Sequence, residues 1–352
     1  MNEMTTASRA EPAVVVNEDE QPRRTDLPLG IYFSLPESDY FADIACGSSD
    51  MKRLATSPPD WYWQSRYNAL WEPEDPTDAL IKGKAAHTII LEGRDKFERL
   101  YGRKTLSFAT TDGKKQRDAF AAAGKTPLAA EDYDRLLVIG AIIRSNPHIA
   151  QAFDGAVGHE VSVFWERGGI KRKARFDCLK PRAIVDLKNI SNDRGLSFQQ
   201  AALRYIDNYS AHVQAEHYRE ARLAMRGLLS RGLVYGDHDA EALAEAAAAT
   251  EHAFVFIFAQ SSGAPLTWAT MLSFKERREW ADEDGEVHTE DEIINEMFVH
   301  GRTMLDRAEK NWHAYKSRFG LDTPWLLLEP IQELDVSDLP PWFARNAELA
   351  SK

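Results

Sequence analysis

Two aspartates and a lysine fall within twelve residues of one another, as Asp177 and then Asp186-Leu187-Lys188, and Glu160 lies a short way upstream. In a strand, Asp186 and Lys188 project from one face, which sets an ammonium beside a carboxylate. Carboxylates brought together on neighbouring strands repel. A hard divalent cation with oxygen ligands would offset that repulsion, and a solvated polar face is the plainer alternative. Carboxylates that hold a metal, a metal that activates water, and a cation that steadies developing charge form the grouping that phosphodiester hydrolysis requires.

The elements that must position these side chains are legible in residues 160–188, EVSVFWERGGIKRKARFDCLKPRAIVDLK. Apolar and polar residues alternate through 160–166, 171–179 and 184–188, with Gly168-Gly169 and Lys180-Pro181-Arg182-Ala183 between them. Period-two alternation bounded by Gly and Pro predicts strands joined as hairpins. A Gly-Gly loop pairs Arg167 with Ile170 and sets Glu160 opposite Asp177. A four-residue second loop pairs Leu179 with Ile184 and sets Asp177 opposite Asp186. One face then collects Val161, Val163, Trp165, Ala174, Phe176, Cys178, Val185 and Leu187 as a core. The other is polar, with Phe164 and Ile184 as exceptions.

Flanking segments supply further candidates. Residues 77–92 read as a helix with small residues on one side, and it carries His87 among apolar neighbours. A lone histidine there is a core residue unless other groups join it. Residues 197–225 read as one long helix on which Gln214 and Tyr218 share a face. Ser48-Ser49-Asp50 marks a helix start, and 129–145 is amphipathic. Residues 240–249 read as an alanine-rich helix and 290–319 as a last long one. Residues 252–260 and 266–274 predict paired strands. Residues 104–117 read as a loop offering Lys114, Lys115 and Arg117 to phosphate. Trp61, Tyr62, Trp63, Tyr67 and Trp71 read as packing for a helical subdomain, with base stacking as the alternative.

The expected organisation is a disordered acidic tail over 1–28, a mainly helical part over 29–150, a core over 151–335, and a tail over 336–352 with Trp342 as an anchor. The formal charge of −12 argues against a uniformly cationic surface, yet 160–188 holds eight bases against four acids. A basic patch beside carboxylates suits a polyanionic substrate, and an ordinary exposed hairpin is the alternative. No apolar run reaches the roughly 20 residues of a membrane span. The N-terminus lacks a signal-peptide core, and Cys46 and Cys178 are the only cysteines. A reducing, cytoplasmic setting is expected, without an iron–sulfur cluster held by four cysteines of this chain.

The order Gly83-x-x-x-His87, Glu160, Asp177, Asp186-x-Lys188 and Gln214-x-x-x-Tyr218 resembles the PD-(D/E)XK nucleases of the RecB-like branch, and within it the RecE-type exonucleases. The likeness runs from about residue 40 onward. It includes Ser48-Ser49-Asp50-Met51-Lys52-Arg53-Leu54, the 160–165 strand and the Pro340-Pro341-Trp342 ending. Phe176 stands where the fold's name has proline, and Gln260-Ser261 where relatives often carry Gln-Glu.

The resemblance implies an α/β restriction-endonuclease-like core, with a mixed central sheet, a hairpin-carried site and flanking helices. It implies a Mg²⁺-dependent exodeoxyribonuclease, with Mn²⁺ as a substitute, that degrades linear duplex DNA from 5′ to 3′. The 3′ single strand left behind would pass to a RecT-like annealing protein, often in phage recombination systems. By position, His87, Asp177, Asp186 and the Leu187 carbonyl would be metal ligands, Lys188 the catalytic cation, and Gln214 and Tyr218 site supports. Glu160 is added from the hairpin register alone, as a ligand or as an acid behind the ligands. A tetrameric ring around DNA is implied by analogy. The alternatives are a RecB/Cas4-like nuclease of other polarity and a catalytically silent DNA-binding subunit.

Overall fold

The computed structural model describes residues 25–72, 77–192, 194–261, 263–282, 284–327, 329–331, 333–339 and 342. The expected acidic tail therefore lies outside the described residues up to residue 24. Residues 25–28 are tied down: Thr25 bridges to Asp43, and the Leu27 N–H donates to Asp43 at 2.6 Å. Most of the expected C-terminal tail is also outside them. Trp342 is 57% exposed, so it does not anchor as expected.

The chain opens with β1 (Gly30–Tyr32), α1 (Glu37–Ala42), α2 (Ser48–Thr56), α3 (Pro58–Gln64), α4 (Asp78–Leu91) and α5 (Arg94–Leu100). Then come β2 (Tyr101–Lys104), α6 (Thr111–Ala122), β3 (Thr126–Ala129), α7 (Ala130–Ser145) and α8 (Pro147–Phe153). The centre is β4 (Gly158–Arg167), β5 (Ile170–Lys180) and β6 (Ala183–Ile190), followed by α9 (Phe198–Asn208) and α10 (Ala211–Ser230). The rest is β7 (Val234–Tyr235), α11 (Ala240–Ala248), β8 (Glu251–Gln260), β9 (Thr267–Lys275), β10 (Arg278–Ala281), β11 (Val287–Glu290), β12 (Ile293–Ile294) and α12 (Glu296–Phe319).

Eight strands form one mixed sheet in the order β12-β9-β8-β6-β5-β4-β1-β7, with β6 parallel to β8 and β1 parallel to β7. The expected α/β class, with a mixed central sheet flanked by helices, is what the chain adopts. β1 lies inside this sheet, between β4 and β7.

Helices cover both sides of the sheet, and this overturns the expected single core face. Val161, Val163, Trp165, Ala174 and Phe176 pack with α10 through Ala215, Tyr218 and Ala221. Cys178, Val185 and Leu187 pack instead with Ile89 and Ile90 of α4 and Ile139 of α7. Phe176 and Cys178 should share a side of β5, so the alternation is interrupted between them, at Asp177. The expected polar face is buried as well. Ser162 is fully buried, Lys173 donates to the backbone of Tyr40 and Asp43, and Phe164 packs under Tyr40 of α1.

Three further expectations need correction. The long helix breaks into α9 and α10 at Ser210, whose φ is 47°. The last helix starts at Glu296, because β11 and β12 occupy the residues before it. Residues 104–117 are not one loop: Thr110 caps α6, which carries Lys114, Lys115 and Arg117.

Candidate active site

Gly168 and Gly169 take φ of 56° and 68°, the left-handed pair that a two-residue hairpin turn demands, and Arg167 pairs with Ile170 as expected. The second turn is shorter than expected, since Lys180 pairs with Ala183, but Leu179 still pairs with Ile184. The register therefore stands, and it aligns Glu160, Asp177 and Asp186 across three strands. At those three positions the ladders open. Val161 pairs with Phe176 and His159 with Cys178, while no Glu160–Asp177 pair forms between them. Glu160 has φ of 53°, a conformation that costs a non-glycine residue on the order of 1 kcal/mol.

The β5–β6 ladder stops at Cys178–Val185, one step short of the two aspartates. Asp177 takes over the missing bond: its Oδ2 accepts from the Leu187 N–H at 2.7 Å. N–H and C=O of one strand residue leave on the same edge, so the Leu187 carbonyl also faces this gap.

α4 brings His87 to the opening. Thr77 caps the helix by accepting from the Leu80 N–H, and Ile89 and Ile90 seat it on the sheet. The ring is bracketed by acids, with Nε2 2.9 Å from Asp177 Oδ2 and Nδ1 3.6 Å from Glu160 Oε1. Burial lowers the affinity of the imidazole for a proton, but Asp177 and Glu160 outweigh it and raise its pKa to about 9. Burial and the Asp177 charge push Glu160 up to about 7. Burial works against the Asp177 charge, yet His87, Lys188 and the Leu187 N–H hold this carboxyl below its ordinary value.

Asp186 sits deeper, 2% exposed, and burial followed by Asp177 pushes it up to about 6. Lys188 Nζ lies 2.9 Å from Oδ1 and 2.7 Å from Oδ2, and the Gln214 amide donates to Oδ1 at 2.9 Å. Tyr218, one turn along α10, is buried with its ring edge-on to Phe176 and Phe254. Burial carries its phenol well above its usual value.

The structure thus brings together every residue expected at the site. Donor atoms of His87, Glu160 and Asp177 lie within 4.8 Å of one another, which fits a divalent cation once the imidazole gives up its proton. Asp186 stands outside that trio, held by Lys188 and Gln214.

A cleft of about 1720 Å³ opens above these groups. Of the eight bases in 160–188, Lys173, Arg175 and Lys188 line it, while others are turned away, so the expected patch is only partly what the cleft presents. Arg172 is fully buried against Glu220 and Glu309, Lys171 pairs with Asp26 and Asp43, and Arg167 pairs with Glu220 and Asp306. The cleft also draws Lys52, Arg53, Arg66, Lys84 and Lys96 from the N-terminal helical part. Lys52 was missed as a site residue. Its ammonium donates to the Tyr209 carbonyl at 2.7 Å, and burial with nearby Lys188 lowers its pKa to about 8. Its signal was the cationic side of α2, whose other side buries Met51, Leu54 and Ala55. Of the aromatic cluster, Trp61 and Tyr62 pack on Trp325, while Trp63 is exposed and Trp71 lines the cleft.

A mixed sheet whose ladders open at Asp177 and Asp186, with a lysine two residues on, is a PDDEXK-like fold. A family model described as "PDDEXK-like domain of unknown function (DUF3799)" matches residues 47–229, more than half of the chain, and the chain belongs to that family. No curated protein matches by sequence. Among solved structures, one described as a "Putative exonuclease" from Eubacterium rectale is similar at 15% identity and a TM-score of 0.44, over 85% of this chain and 97% of that one.

Proposed function

We propose that the protein is a Mg²⁺-dependent exodeoxyribonuclease acting on linear double-stranded DNA, running 5′ to 3′ and leaving a 3′ single strand for an annealing partner. The observation that carries the reading is the convergence of His87, Glu160 and Asp177 beside the Asp186–Lys188 pair in one cleft. His87, Glu160, Asp177 and the Leu187 carbonyl would hold the cation, with Asp186 joining them once Lys188 releases it. The bound metal would lower the pKa of a water and neutralise charge at the phosphoryl group. Lys188 stays an ammonium beside the acids and steadies the attacking or departing oxygen. Gln214 orients Asp186, and Tyr218 walls the site. Lys52 and Lys84, which line the cleft, would exchange their present partners Tyr209 and Glu37 for backbone phosphates. Polarity, the RecT-like partner and a tetrameric ring follow from the sequence resemblance.

The test is digestion of end-labelled linear duplex with and without Mg²⁺, read separately at the 5′ and 3′ labels. Release should need the metal, start from the 5′ label and spare closed circles. Asp186→Ala and Lys188→Ala should each slow it by roughly a hundred- to a thousandfold. Wild-type rates in both variants would remove the site assignment.

A further inference from the structure

Beside the catalytic cleft lies a second cavity of about 610 Å³, within the usual range for a small bound molecule. Ala79 and Gly83 of α4, with Tyr205, Asn208 and Tyr209 across from them, border both spaces. The two therefore meet over Gly83. The second cavity is cationic: Lys82, Arg135, Arg194 and Arg204 line it against one acid, Asp132, which pairs with Lys82 at 2.8 Å. Arg194 and Arg204 are exposed and hold no hydrogen bond or ion pair among the described residues. The rings of Tyr205 and Tyr209 lie 4.5 Å apart at the junction. Gln260 Oε1, on the same wall, is buried without a hydrogen-bond partner, although its amide nitrogen donates to Ala264.

Gly83 itself is informative. It sits within a 14-residue helix, where glycine costs roughly 1 kcal/mol relative to alanine. A Cβ there would meet nothing within 4 Å. Gly140 on α7 is the contrast, since a Cβ there would come within 2.5 Å of Ile89. Packing accounts for Gly140 and leaves Gly83 without a structural reason.

We propose that a single-stranded nucleic-acid segment crosses Gly83 from the catalytic cleft and that the second cavity binds it. Arg194 and Arg204 take its phosphate, Tyr205 and Tyr209 stack its base, and Gln260 Oε1 accepts from a base amino group. This rests on the nuclease reading. A mononucleotide released by hydrolysis has the same phosphate-and-base chemistry, so the measurement must separate the two occupants.

The experiment is equilibrium binding in EDTA, where hydrolysis does not enter, using a labelled single-stranded 12-mer and, separately, deoxyadenosine monophosphate. Proteins compared are wild type, Arg194→Ala/Arg204→Ala, Gly83→Trp and Gly83→Ala, each checked by thermal melting. The double variant should bind the 12-mer roughly tenfold more weakly, with a salt slope shallower by roughly 1.4. Gly83→Trp should weaken it similarly, and Gly83→Ala should bind nearly as wild type. Losses confined to the mononucleotide would support the cavity with released product as its occupant. Unchanged binding of both probes in the double variant and in Gly83→Trp, or no binding of either by wild type, overturns the proposal. A protein that binds the 12-mer in this pattern yet hydrolyses no duplex with Mg²⁺ would remove the nuclease reading and leave the cavity assignment in place.

Discussion

Glu160 gathers several costs in one residue: left-handed backbone, partial burial, and a carboxylate facing Asp177 across an opened rung. Without a metal, His87 and Arg175 offset only part of these costs, and the carboxyl stays raised. Asn tolerates the left-handed region and carries no charge. Glu160→Asn should therefore stabilise the metal-free protein by about 1 kcal/mol while lowering activity, with a denaturant midpoint and duplex digestion as the two readings. Metal should supply what Glu160 lacks. Millimolar Mg²⁺ should raise the melting temperature of wild type through preferential binding to the native state. Asp177→Ala removes a carboxylate shared by His87 and the Leu187 N–H, and its melting temperature should not respond to Mg²⁺. An equal rise in both proteins would place the cation elsewhere.

At the level of elements, α10 is held by charge as well as by packing. Arg172 of β5, fully buried, reaches Glu220 at 2.7 Å and Glu309 of α12 at 2.8 Å, so one guanidinium pins a strand to two helices. Arg172→Ala removes the buried guanidinium that Glu220 and Glu309 share and should cost about 3–5 kcal/mol in urea unfolding, whereas Arg172→Met, which keeps the volume, should cost less if Glu220 is also made Gln. In the sequence Arg172 looked like one more cation of an exposed hairpin, because alternation shows which side a residue faces and not what waits there. The hairpins themselves were legible, since Gly168-Gly169 sets its register by backbone geometry alone. The opening of the ladders at Asp177 was not, because a carboxylate that replaces a backbone acceptor leaves no periodic trace. The break at Ser210 was hidden for a similar reason: helical spacing continues on both sides of one left-handed residue. His87 was ambiguous by itself and gained meaning only when α4 set it between two acids.

Over the whole molecule, a net charge of −12 coexists with a cleft in which Lys52, Arg53, Arg66, Lys84, Lys96, Lys173, Arg175 and Lys188 outnumber the acids beside them. That local excess suits a polyanion drawn to one opening, and binding should weaken with salt. Two buried histidines contribute to the response to acid. His217, on α10 between Gln214 and Tyr218 in sequence, is fully buried with Nε2 2.9 Å from the Lys173 carbonyl. His252 on β8 is buried with neither ring nitrogen bonded. Burial lowers the pKa of each to about 3, against 6.5 for an exposed imidazole. Between those values the unfolded chain binds more protons than the folded one, so their contribution is whole above pH 6.5 and is lost as pH falls toward 3. Glu160 and Asp186, whose raised carboxyls hold protons in the folded protein that the unfolded chain lacks, add stability as pH falls over part of the same range, so the test is the difference between two proteins. From pH 7 to pH 5 the urea midpoint of His252→Leu, which removes one of the two groups and leaves His217 in place, should fall less or rise more than that of wild type. An unchanged slope in His252→Leu would mean that the acid response arises elsewhere, and the same titration of His217→Gln would then show whether the seat of α10 is its source.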